Sequence, residues 1–264
     1  MHIDEILNSV RMTGTSTFTA EVGEDWVQGR TLFGGILTML AVHGMRQLVS
    51  DLPPLVSAQT MFIAPVPPGI VRFEAALLRS GRSAMQMEAR FLVGQQVACV
   101  IIAVFGAPRA SSVAIEPSDD AAPARSVEES TEFPISSFMP IFTKHYEFRL
   151  AEGGLPCSGS SIIGTKTYVR PRDTGTLGEA HIVALGDVIP PPILSLVDKP
   201  TPLSSITWTL EFVRHLPPIP STDWWCLHAY IVAARDGYSN QDVRLHGPDG
   251  KLVALSRQTV ALFG

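Results

Sequence analysis

Period-two alternation and helical spacing divide this chain into a short series of elements. TFTAEV at Thr17 to Val22 alternates polar and apolar positions as a half-buried strand does. After a polar loop to Arg30, the stretch Phe33 to Leu52 places Ile36, Met39, Leu40 and His43 at helical spacing, with Gly34 and Gly35 at its start. A second alternating segment follows Pro54-Leu55, and VACVIIAVFG, ending at Gly106, reads as a central strand because it is apolar and β-branched. Further on, Gly178 to Ile189 has helical character, and SSITWTLEF at Ser204 to Phe212 alternates again. That alternation puts Ile206, Trp208, Leu210 and Phe212 on one face, and Ser205, Thr207, Thr209 and Glu211 on the other.

The order of elements occurs twice. Residues 79–106 are echoed by 235–264: Arg79, Gly81 and Ser83 align with Arg235, Gly237 and Ser239, and Val97-Ala98 aligns with Val253-Ala254. Upstream, FIAPVPPG at Phe62 to Gly69 is matched by FVRHLPP at Phe212 to Pro218. Self-similarity at this period predicts two copies of one supersecondary unit. Each copy reads as a helix wrapped by an antiparallel sheet, an α+β architecture with the two sheets side by side. The expected boundaries are a first unit at 1–106, a linker or surface strap at 107–140 and a second unit at 141–264. The strap is rich in Ala, Ser and Pro, and its acids Asp119, Asp120, Glu128 and Glu129 are expected in solvent.

The copies differ most where polar residues break the apolar pattern. In the alignment above Gln258 stands opposite Ile102, and an amide in an apolar strand must find hydrogen-bond partners. Asp187 ends the apolar run HIVALGD, near Leu37 by offset. It is either a cavity-facing carboxylate or a cap for the turn at Pro190 to Pro192. Gly34 and Gly35 offer helix N-terminal N–H groups to an oxyanion or phosphate, or they serve close packing alone.

Composition removes several classes of function. Of 264 residues, 45% are hydrophobic and 17% charged, which is ample for a core and argues against global disorder. A net charge of -5 without Lys/Arg blocks gives no footprint for nucleic acid. No apolar run approaches the roughly 20 residues of a spanning helix, and the acidic N-terminus does not resemble an export signal, so a cytoplasmic chain without membrane contact is expected. Cys99, Cys157 and Cys226 lack CxxC spacing and read as free thiols. The seven histidines show no metal-ligand spacing.

Taken in order, GRTLFGGIL, FIAPVPPG, the Asp after the second helix, the Ser/Thr residues entering the ITWTLEF strand, and GKLVALSRQ resemble the double hotdog acyl-CoA thioesterases of type II. The resemblance covers all but the strap, and it implies a tandem hotdog fold. It also implies that Asp187, Ser205 and Gln258 of the second hotdog activate a water against a thioester carbonyl, with Ser204 and Thr207 as alternatives for the hydroxyl. A thioester is a good acyl donor, so a held water, a base and an oxyanion site suffice, and no cofactor beyond the coenzyme A of the substrate is required. On this reading Asp187 is the base and Ser205 and Gln258 hold the water. The N–H groups at Gly34 and Gly35 are oxyanion candidates, and Thr207 and Trp208 border the substrate. Trp208, Met39 and Met61 are candidates for an acyl tunnel or for simple core, and Arg82, Arg170 and Arg172 for coenzyme A phosphates or for plain surface.

Two other readings compete. Enoyl-CoA hydration on this fold needs an Asp and a His a few residues apart, whereas the next His after Asp187 is His215. A noncatalytic acyl-CoA-binding protein would share the fold but has no need of all three polar positions. Exposed sheet edges favour association into homo-oligomers.

Overall fold

The computed structural model describes residues 1–117, 123, 125–134 and 139–263. Asp119 and Asp120 lie outside the described residues. Contacts divide the chain into two compact units, one of residues Met1–Ile115, Pro140–Phe142 and Gly178–Asp187, the other of Glu116–Met139, Thr143–Leu177 and Val188–Gly264.

The first unit begins with helix α1 (Ile3–Ser9) and strands β1 (Arg11–Met12), β2 (Thr17–Val22), β3 (Val27–Gln28) and β4 (Thr31–Leu32). Helix α2 (Gly34–Leu48) precedes β5 (Leu55–Phe62), β6 (Gly69–Ser80), β7 (Ala84–Val93) and β8 (Gln96–Gly106). These form an antiparallel sheet in the order β1-β2-β6-β7-β8-β5, with β3 and β4 paired separately. Its inner face carries Val71, Phe73, Met87, Phe91, Ile101 and Phe105, all buried, and α2 lies across it. Close approach is possible because Gly44 has no side chain: a β-carbon there would stand 2.5 Å from the Phe73 ring. Phe73 in turn stacks between Phe18 and Phe91, with ring centroids 5.2 and 5.0 Å apart.

The helix expected at Gly178 to Ile189 forms as the shorter α3 (Glu179–Leu185), and it groups with the first unit, packed on α2. Gly35 permits this contact, since a β-carbon would sit 2.6 Å from the carbonyl oxygen of Ala184. Arg46 of α2 then grips Glu179 with Nε at 2.8 Å and one terminal nitrogen at 2.9 Å, while its guanidinium also donates to the Leu52 and Pro53 carbonyls. The same carboxylate accepts the Leu55 N–H at 2.9 Å, so α2, α3 and the start of β5 share one ion pair.

The second unit contains β9 (Thr131–Glu132), β10 (Tyr146–Glu152), β11 (Gly164–Pro171), β12 (Thr176–Leu177), α4 (Ile193–Leu196), β13 (Leu203–Phe212), β14 (Ile219–Pro220), β15 (Trp225–Arg235), β16 (Tyr238–His246) and β17 (Leu252–Leu262). Its sheet runs β13-β17-β16-β15-β11-β10-β9, antiparallel throughout, with β12 and β14 paired apart. The order β5-β8-β7-β6 within the first unit recurs here as β13-β17-β16-β15, as the doubled sequence requires. β15 and β16 are joined by Asp236-Gly237, both at positive φ, the two-residue turn that matches strand twist. The expected strap contributes β9, which hydrogen-bonds along β10.

The registers move one predicted equivalence by a residue. Phe62 pairs with Cys99, and its counterpart Phe212 pairs with Ala254. Counting along the strands, Gln258 corresponds to Ala103, on the buried face, and Ile102 lies on the other face. The turns before these strands also differ in length, spanning residues 94–95 in one copy and 247–251 in the other.

Candidate active site

Asp187 follows the C-terminal end of α3. That helix closes on Gly186, whose N–H reaches the Ile182 and Val183 carbonyls at 3.0 and 3.1 Å, and the Asp187 N–H reaches the Ala184 carbonyl at 3.3 Å. The half-buried carboxylate is thereby carried to the N-terminus of α2, where a β-carbon on Gly34 would stand 2.8 Å from Asp187 Oδ2 and 2.6 Å from Phe62 Cζ. No side chain of its own caps α2. An anion at that end meets the positive pole of the helix dipole, which favours an ionised carboxylate. Thr38, one turn on, donates to the Gly34 carbonyl at 3.2 Å and shares a 2.9 Å hydrogen bond with Thr60 of β5, fixing the first turn of α2 against the sheet. Gly34 and Gly35 are thus both points of close approach, one to an acid and one to a neighbouring backbone.

In the second unit the site residues lie on β13 and β17, and strict alternation fails there. β13 and β17 pair Trp208 with Gln258 and Leu210 with Ser256. The register then shifts between Ser205 and Thr207, so that Thr207 pairs with Thr259 and Ser205 with Val260. Ile206 is the extra residue of a β-bulge. Residues directly opposite on antiparallel strands share a face, and Ser256, Gln258 and Val260 are all buried. Ser205 therefore joins Trp208 and Gln258 on the buried face, and the predicted grouping of Ser205 with Thr207 and Thr209 is corrected. Thr207 stays on the face opposite to Gln258. Ser204 pairs with Ala261 and is exposed.

Trp208 is fully buried and donates its indole N–H to Ser256 Oγ at 2.8 Å, the behaviour of a core residue with its polar atom satisfied. Met39 is buried and Met61 half exposed. Gln258 has an amide neighbour that strand reading of the sequence missed: Gln241 of β16, directly opposite, donates Nε2 to Gln258 Oε1 at 2.9 Å, and both side chains are buried. A signal was present, because Gln241 stands in the apolar phase set by Val243 and Leu245.

Of the arginines considered for phosphates, Arg170 and Arg172 both pair with Glu147, at 2.8 and 3.3 Å, and Arg170 also lies 4.4 Å from the Trp224 ring centroid. Arg82 is exposed. Burial pushes the thiols of Cys99 and Cys226 up to about 12, which keeps them protonated and inert as nucleophiles. Among the described residues no group of three His, Cys, Asp or Glu is placed to hold a metal, and no helix is long and apolar enough to cross a membrane.

Comparison with known proteins places this geometry in a family. Residues 22–106 match the acyl-CoA thioesterase N-terminal domain and residues 117–262 match the acyl-CoA thioesterase C-terminal domain. Sequence comparison with curated proteins finds no significant match. Among solved structures, a hot dog fold protein of unknown function from Alicyclobacillus acidocaldarius superposes with a TM-score of 0.87 at 20% identity, covering 100% of this chain and 99% of that one. An acyl-CoA thioesterase II of Mycobacterium marinum gives 0.75 at 15% identity, with 99% and 98% covered. The dehydratase domain of RzxB from Pseudomonas fluorescens gives 0.61 at 11% identity over 100% of both chains, so the fold alone does not choose the chemistry. The two domain matches do: this chain belongs to the acyl-CoA thioesterase family and is a thioester hydrolase of hotdog fold.

Proposed function

We propose that the protein hydrolyses an acyl-CoA thioester by direct attack of water, with Asp187 as general base and Ser205 and Gln258 as the groups that hold the water. The oxygen of the water attacks the carbonyl carbon as Asp187 takes one of its protons. The tetrahedral intermediate then collapses, the C–S bond breaks, and the proton passes to the departing coenzyme A thiolate to give free acid and thiol. No covalent acyl-enzyme is needed, in keeping with the high pKa of the two buried cysteines.

The observation that carries the reading is the bulge at Ile206, which brings Ser205 onto the buried face that bears Gln258. A bulge re-aims the side chains beside it; β5 carries a matching register shift between Leu55 and Ser57, but only the second copy has a polar Gln on the facing strand at this place. The place of Asp187 at the N-terminus of α2 supports its role, because the positive end of a helix dipole favours an anion.

Thiol release from acyl-CoAs of several chain lengths tests the proposal. The parent is expected to turn over at least one of them, and Asp187→Asn, Ser205→Ala and Gln258→Ala are each expected to lose about 10²-fold or more in kcat. A parent that releases no thiol from any acyl-CoA, or variants as fast as the parent, would sink it.

A further inference from the structure

The first unit carries a cluster of ionisable groups on α1, α2 and α3 that the proposed reaction does not use. His181 sits in the first turn of α3 with its side chain only 12% exposed, and both ring nitrogens are engaged. The backbone N–H of Gly178, the residue before α3, donates to Nδ1 at 3.2 Å, and Nε2 lies 2.9 Å from Asp4 Oδ1 on α1. On α2, half-buried His43 lies near His181, and Gln47 Nε2 approaches His43 Nε2 at 3.0 Å. Arg46 of α2 and Glu179 of α3 also face this seam and are paired with each other, as described above.

These partners fix the protonation of both rings. A backbone N–H can only donate, so His181 Nδ1 presents its lone pair and the ring hydrogen is on Nε2, directed at the Asp4 carboxylate. The amide nitrogen of Gln47 also only donates, so His43 Nε2 is likewise an acceptor. In each imidazole the one lone pair able to take up a proton is already filled by an N–H. We infer that this seam is a proton-operated latch: a proton taken from solvent at His181 Nδ1 ejects the Gly178 N–H and frees the start of α3, while Asp4 retains the ring. In the neutral state Gly178 is capped. In the charged state two N–H groups would face each other, so that contact breaks, and the attraction of the imidazolium to Asp4 strengthens.

Capping alone does not call for a histidine here. The usual residue at this position of a helix is Glu or Gln, which accepts the same N–H. An imidazole makes the cap conditional on pH, because it is the side chain that ordinarily changes charge between about pH 5 and 8. Burial, and then the neighbouring His181, hold His43 below its usual value, so His43 stays neutral while the latch works. The Arg46–Glu179 pair still ties α3 to α2 when the cap is gone, which confines the opening to the residue that begins the helix. The latch lies wholly within the first unit and is separate from the hydrolytic roles proposed above.

Amide hydrogen exchange of Gly178, followed by NMR on the full chain, tests the latch, with far-UV circular dichroism confirming at each pH that the chain is folded. After correction for the intrinsic pH dependence of exchange, Gly178 protection is expected to fall about tenfold or more between about pH 8 and pH 5. His181→Gln keeps an acceptor for the Gly178 N–H but cannot take up a proton, so its protection should stay within about twofold over the same range. Asp4→Asn removes the anion that favours the charged ring, so the opening should move to lower pH by about half a unit or more. Asp4 is 55% exposed, so this variant keeps the test available even if His181→Gln does not fold. Gly178 protection independent of pH in the parent, a His181→Gln variant that loses protection as the parent does, or an Asp4→Asn variant that opens at the same or higher pH would each overturn the latch.

Discussion

Asp187 and Gly34 fit together only because Gly34 lacks a side chain: a β-carbon on Gly34 would stand 2.8 Å from Asp187 Oδ2, inside van der Waals contact. The same β-carbon would meet the Phe62 ring at 2.6 Å. Gly34→Ala is therefore expected to displace the carboxylate while the helix itself, already in an α conformation that alanine favours, stays formed. Thiol-release kinetics should show kcat reduced by tenfold or more with helical circular dichroism unchanged. A parent-like kcat would mean that the close approach of Asp187 to α2 is immaterial to the reaction.

Gly35→Ala should behave differently, since its obstacle is backbone. The added carbon would lie 2.6 Å from the Ala184 carbonyl oxygen, and α2 and α3 must separate to admit it. Overpacking of this kind costs about 1–3 kcal/mol. Chemical denaturation should register that loss, and a variant of undiminished stability would show that the helix pair has slack.

The bulge at Ile206 makes a choice between neighbouring hydroxyls. Ser205 shares a face with Gln258, whereas Thr207 does not and Ser204 is exposed. Ser205→Ala should lower kcat by about 10²-fold, and Thr207→Ala and Ser204→Ala by less than threefold. Equal effects of Ser205→Ala and Thr207→Ala would be incompatible with this face assignment.

Trp208 donates its buried indole N–H to Ser256 Oγ. Ser256→Ala leaves a buried indole N–H without an acceptor, at about 1–3 kcal/mol. Urea unfolding followed by tryptophan fluorescence should show the midpoint falling with an unchanged slope.

Two histidines give the fold a pH dependence of known sign. His43 is held below its usual value by burial and then by the nearby His181, and His228 by burial, followed by Lys166, Arg244 and His246. Both bind protons more readily unfolded than folded, so their contribution is complete above the unfolded value of about 6.5 and is lost as pH falls from there toward the lowered folded values. Thermal midpoints should decline on acidification below about pH 6.5, and His43→Gln should reduce the slope. A slope unaffected by either histidine would assign the acid sensitivity elsewhere.

Much of the architecture is legible in the sequence because it rests on local period and repetition. The alternation in Thr17–Val22 and Leu203–Phe212, the helical spacing after Gly34 and the echo of 79–106 in 235–264 all reappear as β2, β13, α2 and two sheets of matching strand order. Asp187, Ser205 and Gln258 could be named as candidates because each breaks an apolar pattern or matches a family motif. What chain order does not encode is register. One extra residue at Ile206 reverses the side on which Ser205 lies, and the strand registers move the first-copy equivalent of Gln258 from Ile102 to Ala103. Side chains have a period of two along a strand, so a slip of one residue changes face completely, and only cross-strand pairing reveals it. The contacts of Gly34 with Asp187, of Gly35 with Ala184 and of Gln241 with Gln258 likewise join residues far apart in the chain. The sequence alone determined the elements and the type of chemistry. Tertiary packing decided which faces meet, because those choices are made by contacts between segments and not within them.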